Sequence, residues 1–132
     1  MYYSLTGSVD NAVQLQMRNA GSTITAANYQ WWQLGYTNGG SANNANFNTQ
    51  TSWRIGRAAA TIPGVGYVNF FEPLVSRAHV LNGAATGYTG IDTATNFLGL
   101  RYSANQAFDS IVVSASTGNL TGTLRVYGLK NS

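Results

Sequence analysis

Apolar and polar side chains alternate with a period of two along most of this chain, and that pattern restricts the fold more than any other feature. Val13, Leu15 and Met17 interleave with Gln14, Gln16 and Arg18. Such a run reads as a strand with one face inward and one outward. Residues 29–36 form a second run, with Gln30, Trp32, Leu34 and Tyr36 opposed to Tyr29, Trp31 and Gln33. Large rings stand on both of its faces, so this strand is expected to be covered on both sides. A third run covers 52–58, with Trp53 and Ile55 opposed to Arg54, and a fourth covers 67–72. Shorter strands are expected at 4–6, 78–81, 97–102, 111–114 and 123–129.

Turn chemistry separates these runs. Asn19-Ala20-Gly21-Ser22, Asn38-Gly39-Gly40, Pro63-Gly64-Val65-Gly66, Asn82-Gly83 and Thr117-Gly118-Asn119 supply residues that tolerate positive φ or set a turn. Pro73 follows Glu72 and cannot donate to a ladder, so the fourth strand should stop there or run along an edge. Residues 37–50, rich in Asn, Gly, Ser and Thr, read as one long surface loop. No ten-residue window carries a helical stripe, and Ala58-Ala59-Ala60 is too short to nucleate a helix. Residues 1–132 are therefore expected to form a single all-β domain, an antiparallel sandwich of jelly-roll type, with a closed barrel as the rival.

Charged residues are only 8% of the chain, against about 25% in ordinary soluble domains. The outward faces must be built from Asn, Gln, Thr, Ser, Gly and Ala. Weak mutual repulsion suits such a surface to packing against other protein. The formal net charge is +3, but Arg18, Arg54, Arg57, Arg77, Arg101, Arg125 and Lys130 are scattered. Nucleic-acid binders concentrate such groups, so nucleic acid is not an expected partner. Arg54, Arg57 and Arg77 are the candidate contact-forming charges, since guanidinium forks dock on carboxylates, carbonyls and rings. There is no cysteine, which removes disulfides and thiolate metal sites. No apolar run approaches the roughly 20 residues of a membrane helix. The start, Met1-Tyr2-Tyr3-Ser4-Leu5, lacks the pattern of a signal peptide, so assembly in the cytoplasm of the producing cell is expected.

The inventory for catalysis is thin. One histidine, His79, and four acids, Asp10, Glu72, Asp92 and Asp109, are far apart in sequence. They show no ligand spacing and no nucleophile–base pattern, so no catalytic residue, metal or cofactor is expected. His79 alternates with its neighbours and reads as a strand or interface residue. Calcium held by Asp92 or Asp109 lacks the acid-rich loop of known motifs. A glycan-active enzyme with two converging carboxylates has no positive support. Aromatic residues beside amides are the better lead. Trp31, Trp32 and Trp53 read first as core, while Tyr36 and Phe47 are the rings expected to be exposed. With Asn43 and Asn44 they form a candidate glycan-binding set, since rings stack on sugar C–H faces and amides pair with hydroxyls.

The ending Phe108-Asp109-Ser110-Ile111 … Gly118-Asn119-Leu120-Thr121-Gly122-Thr123-Leu124-Arg125-Val126-Tyr127-Gly128-Leu129 reads as a hairpin closing a sheet. It resembles the C-terminal hairpin of small jelly-roll proteins from tailed-phage particles, which occur as capsid decoration proteins and as head-like domains of tail fibres. Val13-Gln14-Leu15-Gln16-Met17-Arg18-Asn19-Ala20-Gly21 resembles that family's early strand, and Ala27-Asn28-Tyr29-Gln30-Trp31 its next. Tyr67-Val68-Asn69-Phe70-Phe71-Glu72-Pro73 resembles the middle strand, with Glu72 where an Asn is common. The resemblance implies a virion location and a homotrimer, with the major capsid protein or other virion proteins as partners. On the tail-fibre side it implies a host surface glycan. It carries over no catalytic residue.

Overall fold

In the computed structural model, which describes residues 1–88 and 93–128, the chain is all-β, with no helix among the described residues. The strands are β1 (Tyr2–Gly7), β2 (Asn11–Asn19), β3 (Ser22–Thr23), β4 (Tyr29–Thr37), β5 (Ala45–Gln50), β6 (Trp53–Ala58), β7 (Gly64–Asn69), β8 (His79–Tyr88), β9 (Thr93–Tyr102), β10 (Ser110–Ala115) and β11 (Leu120–Arg125). They form two antiparallel sheets. The larger has seven strands in the order β11-β1-β7-β8-β9-β4-β5. In the smaller, β2 is flanked by β10 on one side and by β6 and β3 on the other. The larger sheet ends in free edges at β11 and β5, so the arrangement is an open sandwich and not a closed barrel.

The alternation explains the core. Val13, Leu15 and Met17 of β2 and Trp53 and Ile55 of β6 are buried against Tyr3, Val68, Leu81, Leu100, Tyr29 and Tyr102 of the larger sheet. Trp53 is fully enclosed, edge-on to Tyr29 at 4.8 Å, and its indole N–H donates to the Arg101 carbonyl at 2.9 Å. The small sheet approaches the large one closely at β6. A Cβ on Gly64 or on Gly87 would fall inside contact distance of the Arg57 carbonyl, so only glycine lets the two backbones meet there.

Five sequence expectations are corrected. The C-terminal segment is not a hairpin, because β10 pairs with β2 in the small sheet while β11 pairs with β1 in the large one. The connection between them is held by the β1–β2 link instead of by its own strands. Asn119 N–H donates to Ser8 Oγ at 3.0 Å, and Ser8 N–H donates to the Asn119 carbonyl at 2.9 Å. β10 and β11 thus follow β2 and β1 across both sheets. Beyond Arg125 the strand stops, and Leu129 lies outside the described residues.

Residues 37–50 are not one loop, since 45–50 form β5 on the edge beside β4. A bulge in β5 places Thr49 at φ 55, an uncommon conformation for a β-branched residue, between the Tyr29–Gln50 and Trp31–Phe47 pairs. The Asn82-Gly83 and Gly64-Val65-Gly66 turn signals lie inside β8 and β7, where glycines serve close approach and not chain reversal. The fourth strand ends at Asn69, before Glu72. Finally, β4 is covered on one face only: Tyr29 and Trp31 are buried, whereas Trp32, Leu34 and Tyr36 are exposed. The small sheet covers the inner face of the large one, and no other sheet among the described residues lies over the outer face.

Two buried tyrosines make the fold sensitive to alkali. The Tyr29 hydroxyl donates to the Ile24 carbonyl at 2.7 Å and accepts from Met17 N–H at 3.1 Å. Burial pushes its pKa up to about 12 from an ordinary 10, against a smaller lowering by the Met17 hydrogen bond. Tyr3, whose hydroxyl donates to the Ile55 carbonyl, is pushed up further by burial. An unfolded tyrosine ionises near pH 10 and these two resist it, so their contribution is complete below pH 10, and that of Tyr29 is lost as pH climbs through 12. The melting temperature is expected to hold up to pH 10 and to fall between pH 10 and 12, with tyrosinate absorbance of these two rings appearing only on unfolding. Stability unchanged across that window would contradict this account.

Candidate functional site

Two regions of the surface stand out. The first is the outer face of the seven-stranded sheet. Residues in register across it run Leu34, Phe97, Ala84, Tyr67, Tyr2 and Arg125, one from each of β4, β9, β8, β7, β1 and β11. Leu34 and Phe97 are 57% and 67% exposed, which no solvated strand face requires. Tyr2 packs between Tyr67 and Tyr127, with ring centroids 5.9 Å from each. In the neighbouring row the Trp32 indole lies across Gly99, where a Cβ would collide with it. On this row Asn69 Nδ2 donates to Asn82 Oδ1 at 2.9 Å, and on the other side Thr86 and Thr95 hydroxyls bond at 3.0 Å. Arg101 and Arg125 are the charged strand residues of this face among the described residues.

The second region is a small polar pocket where β6 crosses β4, β8 and β9. It encloses about 20 Å³ and is lined by Gln33, Asn43 and Asn96 from the large sheet and its loop, and by Arg54 and Arg57. Residues three apart on a regular strand point to opposite faces. Here Val13 pairs with Gly56 and Gln14 with Arg54, so Ile55 is an extra residue in β6. That bulge turns Arg54 and Arg57 to the same side. Arg57 forms an ion pair with Asp10. Arg54 has no ion pair among the described residues, and its guanidinium lies over the Trp31 ring at 5.8 Å. Burial, then the neighbouring Arg57, lowers the pKa of Arg54, with Asp10 opposing. The amides are chained: Gln33 Nε2 donates to Asn43 Oδ1 at 3.1 Å, and Asn43 Nδ2 to Asn96 Oδ1 at 3.0 Å.

The residues singled out in the sequence fall in different places. Arg54 and Arg57 share the pocket. Arg77 lies elsewhere, paired with Glu72 after β7. Of the glycan set, Tyr36 is 64% exposed on the outer face. Phe47 is on the inner side of the same sheet, stacked on Trp31 at 4.2 Å. Asn43 enters the pocket, and Asn44 Oδ1 accepts from Gly35 N–H at 3.3 Å. The four therefore do not share one surface. Gln33, Asn96, Phe97, Tyr67 and Tyr2 were missed in the sequence. The alternation of Phe97, Gly99 and Arg101 with the buried Leu98, Leu100 and Tyr102 is the signal that marks an outward ring, once β9 is known to begin at Thr93.

His79 is buried and structural in its contacts. Its Nε2–H donates to the Gln106 carbonyl at 2.6 Å, and its ring meets Phe108 edge-on at 4.9 Å. No group of three or more His, Cys, Asp or Glu able to hold a metal occurs among the described residues, where no helix is long and apolar enough to cross a membrane. Asp92 and Lys130 lie outside the described residues. Comparison with protein-family models, with curated proteins and with solved structures finds no match to this chain.

Proposed function

We propose that this protein is a structural component of a tailed-phage virion, a capsid decoration protein that packs as a homotrimer on the particle surface. The observation that carries this reading is the uncovered outer face of the large sheet. Seven strands at about 4.8 Å spacing and about six residues of about 3.3 Å give a face of roughly 600 Å² before side-chain relief is added. A specific interface buries about 800 Å² per partner. Aromatic rings at the centre with charges at the periphery are the usual composition of such a contact. The scarcity of charge in the whole chain, and the likeness of its strand motifs to small phage-particle proteins, support the same reading, with which the jelly-roll assignment goes. Sister subunits and the major capsid protein are the partners, through this face.

The test is a mass measurement and co-sedimentation. The expected result is a trimer in solution that sediments with shells of the major capsid protein. A chain that stays monomeric and never travels with shells would defeat the proposal.

A second reading is favoured by one observation, the amide cluster of Gln33, Asn43 and Asn96 beside Arg54. In that reading the protein binds a host surface glycan, as a tail-fibre or tail-tip module does. Amides supply the paired donors and acceptors that hydroxyls need.

A further inference from the structure

The pocket at β6 carries more positive charge than it neutralises. Two guanidiniums line it and one carboxylate, Asp10, is at hand. Asp10 is engaged by Arg57, which leaves Arg54 as a half-buried cation with no carboxylate partner among the described residues. Its stacking on Trp31 holds the group in place without satisfying its N–H donors. Beside it the amide chain uses Asn43 Oδ1, Asn96 Oδ1 and one N–H each of Gln33 and Asn43. Asn96 Nδ2 and Gln33 Oε1 are left over, a donor and an acceptor next to a cation.

We propose that this pocket is the carboxylate subsite for an acidic saccharide, of the uronic acid class. The Arg54 guanidinium takes the carboxylate, and the free groups of Asn96 and Gln33 take hydroxyls at the mouth. The enclosed volume of about 20 Å³ admits a carboxylate oxygen and leaves the sugar ring outside, against Asn43 and Asn96. A guanidinium fork in a partly enclosed site matches a carboxylate in shape as well as charge. A neutral sugar would leave the positive charge of Arg54 uncompensated. A simple carboxylate would leave the amides unused. The inference rests on the glycan-binding reading and names the ligand class of that site. It is independent of packing through the outer sheet face.

The experiment is an NMR titration of the intact protein with glucuronate, glucose and acetate, following the Arg54 Nε–H and the side-chain amides of Gln33, Asn43 and Asn96. Glucuronate is expected to shift these signals and saturate with a Kd of roughly millimolar order, with glucose silent and acetate at least tenfold weaker. Arg54→Gln should abolish the response while keeping the backbone spectrum. Should that variant not fold, Asn96→Asp, which sets a negative charge at the mouth, should weaken glucuronate at least tenfold. Glucose binding as well as glucuronate would overturn the acidic class and leave glycan binding standing. No response to either sugar would overturn both. Acetate binding as tightly as glucuronate would overturn the saccharide and point to a protein carboxylate. Unchanged glucuronate binding in folded Arg54→Gln would overturn the assigned residue and the proposal with it.

Discussion

Trp53→Ala is expected to remove about 3–5 kcal/mol of stability, the usual cost of deleting a large aromatic side chain from a core. The side chain is fully buried at the meeting of both sheets. Its loss opens a cavity beneath Tyr29, against which it packs at 4.8 Å, and removes the hydrogen bond from its N–H to the Arg101 carbonyl. A domain of this size has a total stability of about 5–15 kcal/mol, so the loss is a large fraction of the whole. Urea denaturation measures the loss, and thermal unfolding should show the melting temperature drop by roughly 10–20 °C. Trp32→Ala is the control. That ring is 45% exposed and lies across Gly99 on the outer face, so its removal should cost about 1 kcal/mol or less. Equal losses in the two variants would mean that the outer face is covered in the folded monomer.

Under the capsid-decoration role proposed above, Phe97→Glu is expected to leave the monomer almost unchanged and to weaken attachment to shells at least a hundredfold. Phe97 stands mid-face, in register with Leu34 on one side and Ala84 on the other, and is 67% exposed. A carboxylate there stays hydrated in the free protein, where substitutions away from special features usually fall within about 0.5 kcal/mol. Once pressed against a partner it must lose its water without a cation in reach, at a cost of several kcal/mol. Arg101 is the nearest charged strand residue of the face by register, four residues along β9 toward the Tyr29 end of β4. Light scattering and co-sedimentation measure the effect. Gln14→Glu, which adds the same charge to the small sheet, should bind shells as the parent does. Loss of binding in both variants would show that net charge, and not this face, governs attachment.

Much of the secondary structure was readable one residue at a time. The inward residues of β2, the Trp53–Ile55 pair of β6 and the turn at Ala20-Gly21, where φ reaches 48° and 80°, all follow from local pattern. So does the absence of a helical stripe. Pairing was not readable in this way. The last two strands look like a hairpin because a Gly-Asn turn joins them, yet hydrogen bonds between Ser8 and Asn119 draw that turn to the β1–β2 link. Glycine carries the same ambiguity. Gly83 and Gly64 read as turn formers, and they serve instead to admit the backbone carbonyls of Tyr67 and Arg57.

The candidate sites divide along the same line. Residue chemistry alone selected Arg54 and Arg57, and Tyr36 and Asn43 were chosen for the same kind of reason. Only folding decided that a bulge at Ile55 turns the two arginines together and that Tyr36 and Phe47 lie on opposite sides of one sheet. Period and composition act within a strand, so the chain itself determined an all-β, charge-poor domain. Which strand borders which, and which face is left without a cover, depends on contacts between residues as far apart as Ser8 and Asn119. No local preference encodes those contacts, because their free energy appears only when both sheets are assembled.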